Sequence, residues 1–324
     1  MKIQAIRMHQ TGGPEVLKME EIELPAPLAK QVLVRLKVAG VNFIDVYFRR
    51  GSYVSTLPYI PGFEGAGVVE QVGDAVTAVK PGDHVAFSSQ PGSYATAILI
   101  DEQKLIPIPK ELSFEQAAAF PLQGMTAHYL LHEFYKVKAG STVLIHAAAG
   151  GMGLLLVQWA RHLGARVIGT VSTEEKAKAA KEAGAHEIIN YAKQDFVAEV
   201  KRLTNGIGVD YIIDGVGKTT FPGNLEAVRA RGHIVIYGSA SGPADPISPN
   251  ALMSRAITLS GGTLFQFTET HQELLYRANA VLAGLKEGWL KLKIDKVLPL
   301  KDASLAHKLL EERSSSGKLL LQID

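Results

Sequence analysis

Between Thr142 and Ala160 an apolar strand, a glycine-rich turn and an apolar helix follow one another without a gap. Thr142-Val-Leu-Ile-His146 reads as a buried strand, Ala147-Ala-Ala-Gly-Gly-Met-Gly153 as a tight turn, and Leu154-Leu-Leu-Val-Gln-Trp-Ala160 as the helix. In the spacing G-x-G-x-x-G the three key positions are Ala148, Gly150 and Gly153. Small residues there let the backbone approach a pyrophosphate, and the helix start offers it unpaired N–H groups. The turn therefore points to a dinucleotide, with Gly150, Gly151, Met152 and Gly153 as its cradle.

The rest of the central chain alternates in the same way. Strands are expected at Val143–Ile145, Arg166–Val171, Glu187–Ile189, Asp210–Ile213 and His233–Tyr237. Helices are expected at 152–163, 174–183, 195–203 and 219–230, and Ile257–Leu264 supplies a sixth strand. Such alternation builds a doubly wound parallel sheet with helices on both faces. Gly215 and Val216 follow the fourth strand, and Tyr237, Gly238 and Ser239 follow the fifth. Strand carboxyl ends are where open α/β sheets bind ligands, so these residues join the cofactor set.

Residues 1–122 read differently. Lys30–Ala39, Gly65–Val72 and His84–Phe87 are strand candidates separated by Gly-Asp and Pro-Gly-Asp turns, and frequent prolines exclude long helices. This is a compact, partly closed β-domain. Helical spacing appears at 115–120 and 126–134, with Pro121 and Gly124 expected to break the two apart. After the sixth strand come a helix at 269–287 and strands at Leu290–Leu298 and Lys318–Ile323.

The second strand carries a cofactor signal. NAD-selective folds place an acid at its tip to grip the adenosine ribose, whereas this chain has Ser172 and Thr173, with Lys176 one turn on. A hydroxyl and an ammonium suit the extra phosphate of NADP(H), which a carboxylate would repel. Two ordinary readings compete: Ser172 and Glu175 have capping-box spacing, and Lys176 is also compatible with a solvated helix face.

Bulk properties exclude several classes. A chain of 324 residues with 47% hydrophobic and 20% charged residues folds into about two domains. A formal net charge of +2 with scattered basic residues argues against a nucleic-acid surface. No apolar run approaches the ~18 residues of a membrane span, and the N-terminus lacks a signal-peptide layout, so the expected location is cytoplasmic. With no cysteine, disulfides, thiolate zinc ligands and a cysteine nucleophile are excluded. His128 and His132 are four apart but lack the H-E-x-x-H pattern, and no Gly-x-Ser-x-Gly elbow is present, so neither a metal site nor a serine hydrolase is expected.

Gly40-Val-Asn-Phe-Ile-Asp45, Pro61-Gly-Phe-Glu-Gly-Ala-Gly-Val68, Lys80-Pro-Gly-Asp83, His146–Gly153 and Ser316-Gly-Lys-Leu-Leu-Leu321 together resemble the zinc-independent, zeta-crystallin-like quinone oxidoreductases of the medium-chain dehydrogenase/reductase superfamily. The resemblance runs over the whole chain. It implies a GroES-like β-domain from residues 1–122 and 266–324, with a Rossmann domain at 123–265 inserted between. It implies hydride transfer from NADPH to a quinone, with NADP(H) and substrate meeting in an interdomain cleft. Zinc-using relatives place cysteine at the position of Asn42 and Gly-His-Glu where this chain reads Gly62-Phe63-Glu64, so no metal is expected. A quinone is electrophilic enough to accept hydride without Lewis-acid help.

By the same resemblance, Asn42, Tyr47 and Tyr53 line the substrate site, and Asn42 also borders the nicotinamide. Thr126 lies near the nicotinamide ribose, and Lys176, Tyr191 and Arg313 lie around the adenosine phosphate. A homodimer is implied, and the apolar stretch 256–265 at a sheet edge suits it. Two other readings stay open: an enoyl or enone reductase with Tyr47 or Tyr53 as proton donor, and a non-catalytic NADPH-responsive RNA-binding or structural protein.

Overall fold

The computed structural model describes residues 1–312 and 314–323. Arg313, expected at the adenosine phosphate, lies outside them. Two compact units emerge: Met1–Met125 with Thr268–Asn279 and Ile294 onward, and Thr126–Phe267 with Ala280–Lys293. The boundaries differ from the expected ones chiefly at 280–293, which pack with the second unit.

The first unit holds β1 (Lys2–Arg7), β2 (Lys18–Glu23), β3 (Gln31–Val41), β4 (Glu64–Val72), β5 (His84–Ser88), β6 (Ala97–Asp101) and β7 (Leu105–Pro107). The second holds β8 (Thr142–Ile145), β9 (Arg166–Val171), β10 (Glu187–Asn190), β11 (Val209–Asp214), β12 (Val228–Ile236) and β13 (Thr258–Gly261). The chain then returns to the first unit with β14 (Ile294–Pro299) and β15 (Lys318–Gln322). The helices are α1 (Phe43–Arg50), α2 (Phe114–Ala119), α3 (Pro121–Tyr129), α4 (Gly151–His162), α5 (Glu174–Glu182), α6 (Phe196–Leu203), α7 (Phe221–Ala227), α8 (Asn250–Met253), α9 (His271–Glu287) and α10 (Ala303–Glu311). Among the described residues, no helix is long and apolar enough to cross a membrane.

In the first unit the sheet order is β14-β15-β3-β4-β5-β7, with β6 also on β3. Its long central strand buries Val32, Val34, Leu36 and Ala39 in one core with Phe87, Tyr94, Leu319 and Leu321. The register of the last strand matters most for function. Leu319 pairs with Val41 and Leu320 with Gly40 in antiparallel fashion, so Lys318 arrives beside Asn42. Ala39 pairs with Gly65, which brings Glu64 to the same place.

The second unit is a six-stranded parallel sheet of order β10-β9-β8-β11-β12-β13. That is the 3-2-1-4-5-6 order of a dinucleotide-binding sheet, with its switch point between β8 and β11. Leu144, Ile168, Ile212 and Ile234 fill its core with almost no exposure, as expected of strands covered on both faces.

Several sequence expectations are corrected. Gly124 does not interrupt a helix: α3 runs through it from Pro121, where proline is compatible with a first helical position. The helix expected over 219–230 stops at Ala227, because Val228 is already extended and paired with Val209. The sixth strand is only four residues long, ending at Gly261 before a 3-10 turn at Leu264–Phe267. The helix Ala303–Glu311, missed in the sequence, has a buried face of Ala303, Ala306 and His307.

Candidate active site

At the tip of β8 the chain turns sharply through Ala147, whose φ is 51°. Left-handed backbone at alanine costs roughly 1 kcal/mol relative to glycine, and the turn is pinned from both sides. The N–H of Ala148 donates to the Thr170 carbonyl at 3.0 Å, and that of Gly150 to the Ala147 carbonyl at 3.0 Å. Helix α4 starts at Gly151 with no side-chain cap and no acid in its first turn. The N–H groups of its first turn precede any intrahelical acceptor, which makes this end a place for an anion. A Cβ on Gly153 would lie 2.3 Å from the Ala147 oxygen and 2.7 Å from the Ala148 carbonyl carbon. The cradle thus depends on close backbone approach, and its residues fit a pyrophosphate.

At the next strand tip, Ser172 directly follows β9. The cap of α5 is Thr173, whose hydroxyl accepts from the Lys176 N–H at 3.2 Å. Ser172 is therefore not the helix cap that its spacing with Glu175 suggests. The N–H of Tyr191 donates to the Val171 carbonyl at 3.0 Å, which brings Tyr191, at 43% exposure, beside the same strand end. Lys176 stands in the first turn of α5, half-buried. Ser172, Lys176 and Tyr191 are thus gathered at one edge. Glu174 is turned to other work: its carboxylate pairs with Lys193 at 2.9 Å.

The loops after β11 and β12 interlock. Tyr237 N–H donates to Asp214 oxygen at 3.0 Å, and Ser241 N–H to Val216 oxygen at 2.8 Å. A Cβ on Gly215 would lie 2.6 Å from the Tyr237 ring. Beneath them sits a polar network that the sequence did not announce. Fully buried Asp214 accepts from Val216 N–H at 2.6 Å, Gly217 N–H at 3.1 Å, the Thr220 hydroxyl at 2.7 Å and the Asn224 amide at 2.6 Å. His146 donates from Nε2 to Asn224 Oδ1 at 2.7 Å and accepts at Nδ1 from Thr170 at 3.0 Å. Burial lowers the His146 pKa, and the network assigns it the neutral Nε2–H tautomer. Gly215, Val216, Tyr237, Gly238 and Ser239 hold their places through this scaffold. Thr126 is buried within α3.

The first unit carries the other expected residues. Asn42 ends β3 as the N-cap of α1 and is 4% exposed. Its Nδ2 donates to Glu64 Oε1 at 2.7 Å, and its Oδ1 accepts from Lys318 Nζ at 2.7 Å and from Gln123 Nε2 at 3.4 Å. Lys318 also forms an ion pair with Glu64, whose other oxygen accepts the Leu122 N–H at 2.8 Å. Asn42 therefore keeps one amide N–H for another acceptor. The position where zinc-using relatives gather ligands is filled here by an ammonium between an amide and a carboxylate, with apolar Phe63 beside them. Those donors do not fit a zinc ion.

Beyond Asn42, α1 presents an aromatic wall. Tyr47 and Tyr53 meet edge-to-face with centroids 5.5 Å apart, and Phe48 stacks on Phe63 at 4.9 Å and on Tyr59 at 5.7 Å. Gly51, left-handed at φ 80°, ends the helix and folds the chain back so that Tyr53 reaches Tyr47. Tyr53 is 41% exposed. Such a wall suits a flat, conjugated ring. Lys318 joins Glu64 and Asn42 only through strand register, whereas Asp45 is held locally, three residues into α1 from Asn42. Their signal lay inside stretches already quoted, Gly40–Asp45 and Ser316–Leu321.

Comparison with known proteins agrees with this architecture. Residues 28–110 match the alcohol dehydrogenase GroES-like domain, and residues 151–280 match the zinc-binding dehydrogenase family. The 2-haloacrylate reductase of a Burkholderia species is 41% identical over 328 residues, covering 98% of each chain. The quinone oxidoreductase structure of Pseudomonas syringae pv. tomato superposes with a TM-score of 0.96 at 42% identity, covering 99% of both chains. The Escherichia coli quinone oxidoreductase complexed with NADPH gives 0.96 at 38% identity, covering 98% of this chain and 99% of that one. With a GroES-like unit, a 3-2-1-4-5-6 sheet and full-length relatives of this kind, the chain belongs to the quinone oxidoreductase family of the medium-chain dehydrogenase/reductase superfamily.

Proposed function

We propose that the protein is an NADPH:quinone oxidoreductase that works without zinc. The observation that carries this reading is the Lys318 ammonium lodged against Glu64 and Asn42. With that place taken, no Lewis acid polarises a simple carbonyl, and the acceptor must be electrophilic by itself. When bound, a dihydronicotinamide supplies the hydride. The N-terminal turn of α4 and Gly150–Gly153 bind its pyrophosphate, Ser172, Lys176 and Tyr191 (with Arg313) its adenosine phosphate, and Thr126 its nicotinamide ribose. The loops bearing Gly215, Val216, Tyr237, Gly238 and Ser239 complete the cofactor site. Tyr47 and Tyr53 stack on the acceptor ring, while the remaining Asn42 N–H or a tyrosine hydroxyl donates to its oxygen. Turnover measured with NADPH, NADH and a quinone series tests this; no NADPH oxidation with any quinone ends it.

Cofactor choice gives a sharper prediction. Ser172→Asp puts a carboxylate at the β9 tip, and kcat/KM for NADPH is expected to fall at least about tenfold while that for NADH changes little, as expected from repulsion of the added phosphate. Equal losses with both cofactors would remove Ser172 from phosphate recognition.

The 41% identity to a 2-haloacrylate reductase favours a second reading. A haloacrylate carries a C=C bond conjugated to a carboxylate, so an enone or enoate acceptor competes with a quinone, and the ratio of turnover on the two classes decides. We also propose a cytoplasmic homodimer. Among the described residues the edge strand β13 pairs only with β12, and the stretch 256–265 offers it to a symmetry mate. Sedimentation at the monomer mass would refute the dimer.

A further inference from the structure

A line of buried polar groups crosses the first unit behind the expected acceptor residues. It starts at Arg49, 1% exposed on α1, whose guanidinium grips the Glu311 carboxylate at 3.0 and 2.6 Å and the Gly12 carbonyl at 3.1 Å. Arg49 Nη1 also lies 3.3 Å from Nδ1 of His307 on α10, which is wholly buried. An arginine has only donors, so Nδ1 accepts and the histidine's proton must sit on Nε2. Nε2 lies 3.1 Å from the Tyr94 oxygen, and it donates there. Tyr94 is left to donate its own proton, and it does so to Asp45 Oδ2 at 3.1 Å. The same carboxylate oxygen accepts the Asn42 N–H at 2.8 Å. The three bonds from Arg49 to Asp45 therefore point one way, from a permanent charge to a carboxylate, and the N–H of the residue that begins α1 meets them at that same oxygen.

We propose that Arg49, His307, Tyr94 and Asp45 form a directed hydrogen-bond relay that positions Asn42, which makes Tyr94 and His307 positioning residues for the acceptor site. This rests on the reading of Asn42 as part of that site. Three segments far apart in sequence, α1, the loop at Tyr94 and α10, meet in this line, and none of its members lies on the aromatic wall. A core of this kind filled with apolar groups would cost nothing in desolvation; the polar line instead orients one backbone amide.

The relay depends on Asp45 being ionised. Burial raises its pKa to about 7, opposed by the Asn42 N–H, by Lys318 and by Tyr94, and reinforced by Glu64. His307 stays neutral, held down to about 3 by burial and by Arg49. Among the described residues, Lys318, Tyr94, Glu64 and Tyr59 are the titratable groups that act on Asp45, and Arg49 acts on His307. Below about pH 7 Asp45 gains a proton, its two incoming bonds weaken, and the Asn42 backbone N–H is held less tightly. The acceptor kcat/KM therefore falls as pH drops through this range.

The test compares parent, Tyr94→Phe, Asp45→Asn, His307→Gln and His307→Leu in the full-length protein. Acceptor kcat/KM is measured against pH, NADPH affinity by fluorescence, and the Asp45 carboxyl band by infrared titration. Tyr94→Phe removes a donor to the carboxylate, and the acidic limb and the infrared midpoint both move up by about one pH unit. Asp45→Asn abolishes limb and band. His307→Gln still accepts from Arg49 and donates to Tyr94, and keeps the parental limb, while His307→Leu moves it upward. NADPH affinity stays within twofold throughout. A limb and midpoint unmoved in both Tyr94→Phe and His307→Leu would overturn the relay. If no quinone turns over at all, the infrared midpoints still decide the relay while the acceptor assignment of Asn42 falls.

Discussion

Gly153→Ala is expected to weaken NADPH binding by roughly two orders of magnitude, on the order of 2–3 kcal/mol. The added methyl meets backbone atoms of the preceding turn, 2.3 Å from Ala147 oxygen and 2.7 Å from Ala148 carbonyl carbon and Cα. No side-chain rotation relieves that contact, so α4 must move away from the turn. The N–H groups at the start of α4 then leave the arc that the pyrophosphate needs. Gly150→Ala is the control in the same loop. There the nearest atom to a new Cβ is Ala147 oxygen at 3.4 Å, and a loss below about tenfold is expected. Titration of NADPH against protein fluorescence gives both constants. Equal affinities for the two variants would mean that the cradle is not where the cofactor binds.

Lys318→Met is expected to cost about 3–5 kcal/mol of folding stability, the range seen when one partner of a buried ion pair is removed. Lys318 is 3% exposed and Glu64 not at all, so the orphaned carboxylate has no route to water. It keeps the Leu122 N–H and the Asn42 amide, which soften the loss without cancelling a charge. Adding Glu64→Gln should restore most of the stability, since an amide retains acceptor and donor capacity with no charge to bury. Urea unfolding of the parent, the single variant and the double variant separates these terms as a mutant cycle. A single variant within about 1 kcal/mol of the parent would show that Lys318 does not compensate Glu64.

The Lys318–Glu64 pair puts a side chain where a metal would sit. In zinc-using relatives the end of β3 and the start of β4 supply ligands, and here the same two strand ends supply Asn42 and Glu64. The cation between them arrives on β15, 254 residues later in the chain. Because it comes from the chain's own last strand, the fold carries the charge that a metal would otherwise bring. An ammonium fixed in this way orients Asn42 but does not exchange ligands, consistent with an acceptor that needs placement more than activation.

The cradle at 147–153 was legible because all its parts are local: strand, turn and helix are consecutive, and the physics of a tight turn is written in its small residues. The parallel sheet was equally legible from alternation, since a buried strand and an amphipathic helix each announce themselves within a dozen residues. Ser172 shows the limit of local reading. Its spacing to Glu175 matches a cap, yet Thr173 takes that role, because which hydroxyl faces the helix depends on where β9 lets go of the chain. Helix boundaries failed for a similar reason at Ala227, where pairing of Val228 with Val209 won over helical continuation.

Sequence alone gave the sheet class, the strand–turn–helix over 142–162, the absence of cysteine chemistry and the hydroxyl in place of an acid at the β9 tip. Tertiary structure alone decided that Lys318 meets Glu64 and Asn42, that His146 joins the Asp214–Asn224 network beneath the loops after β11 and β12, and that Arg49 is linked to Asp45 through His307 and Tyr94. The division has one physical cause. Conformational preference acts between neighbours along the chain, whereas Lys318, His307 and His146 find their partners only where strand register and the packing of helices and loops bring distant segments together.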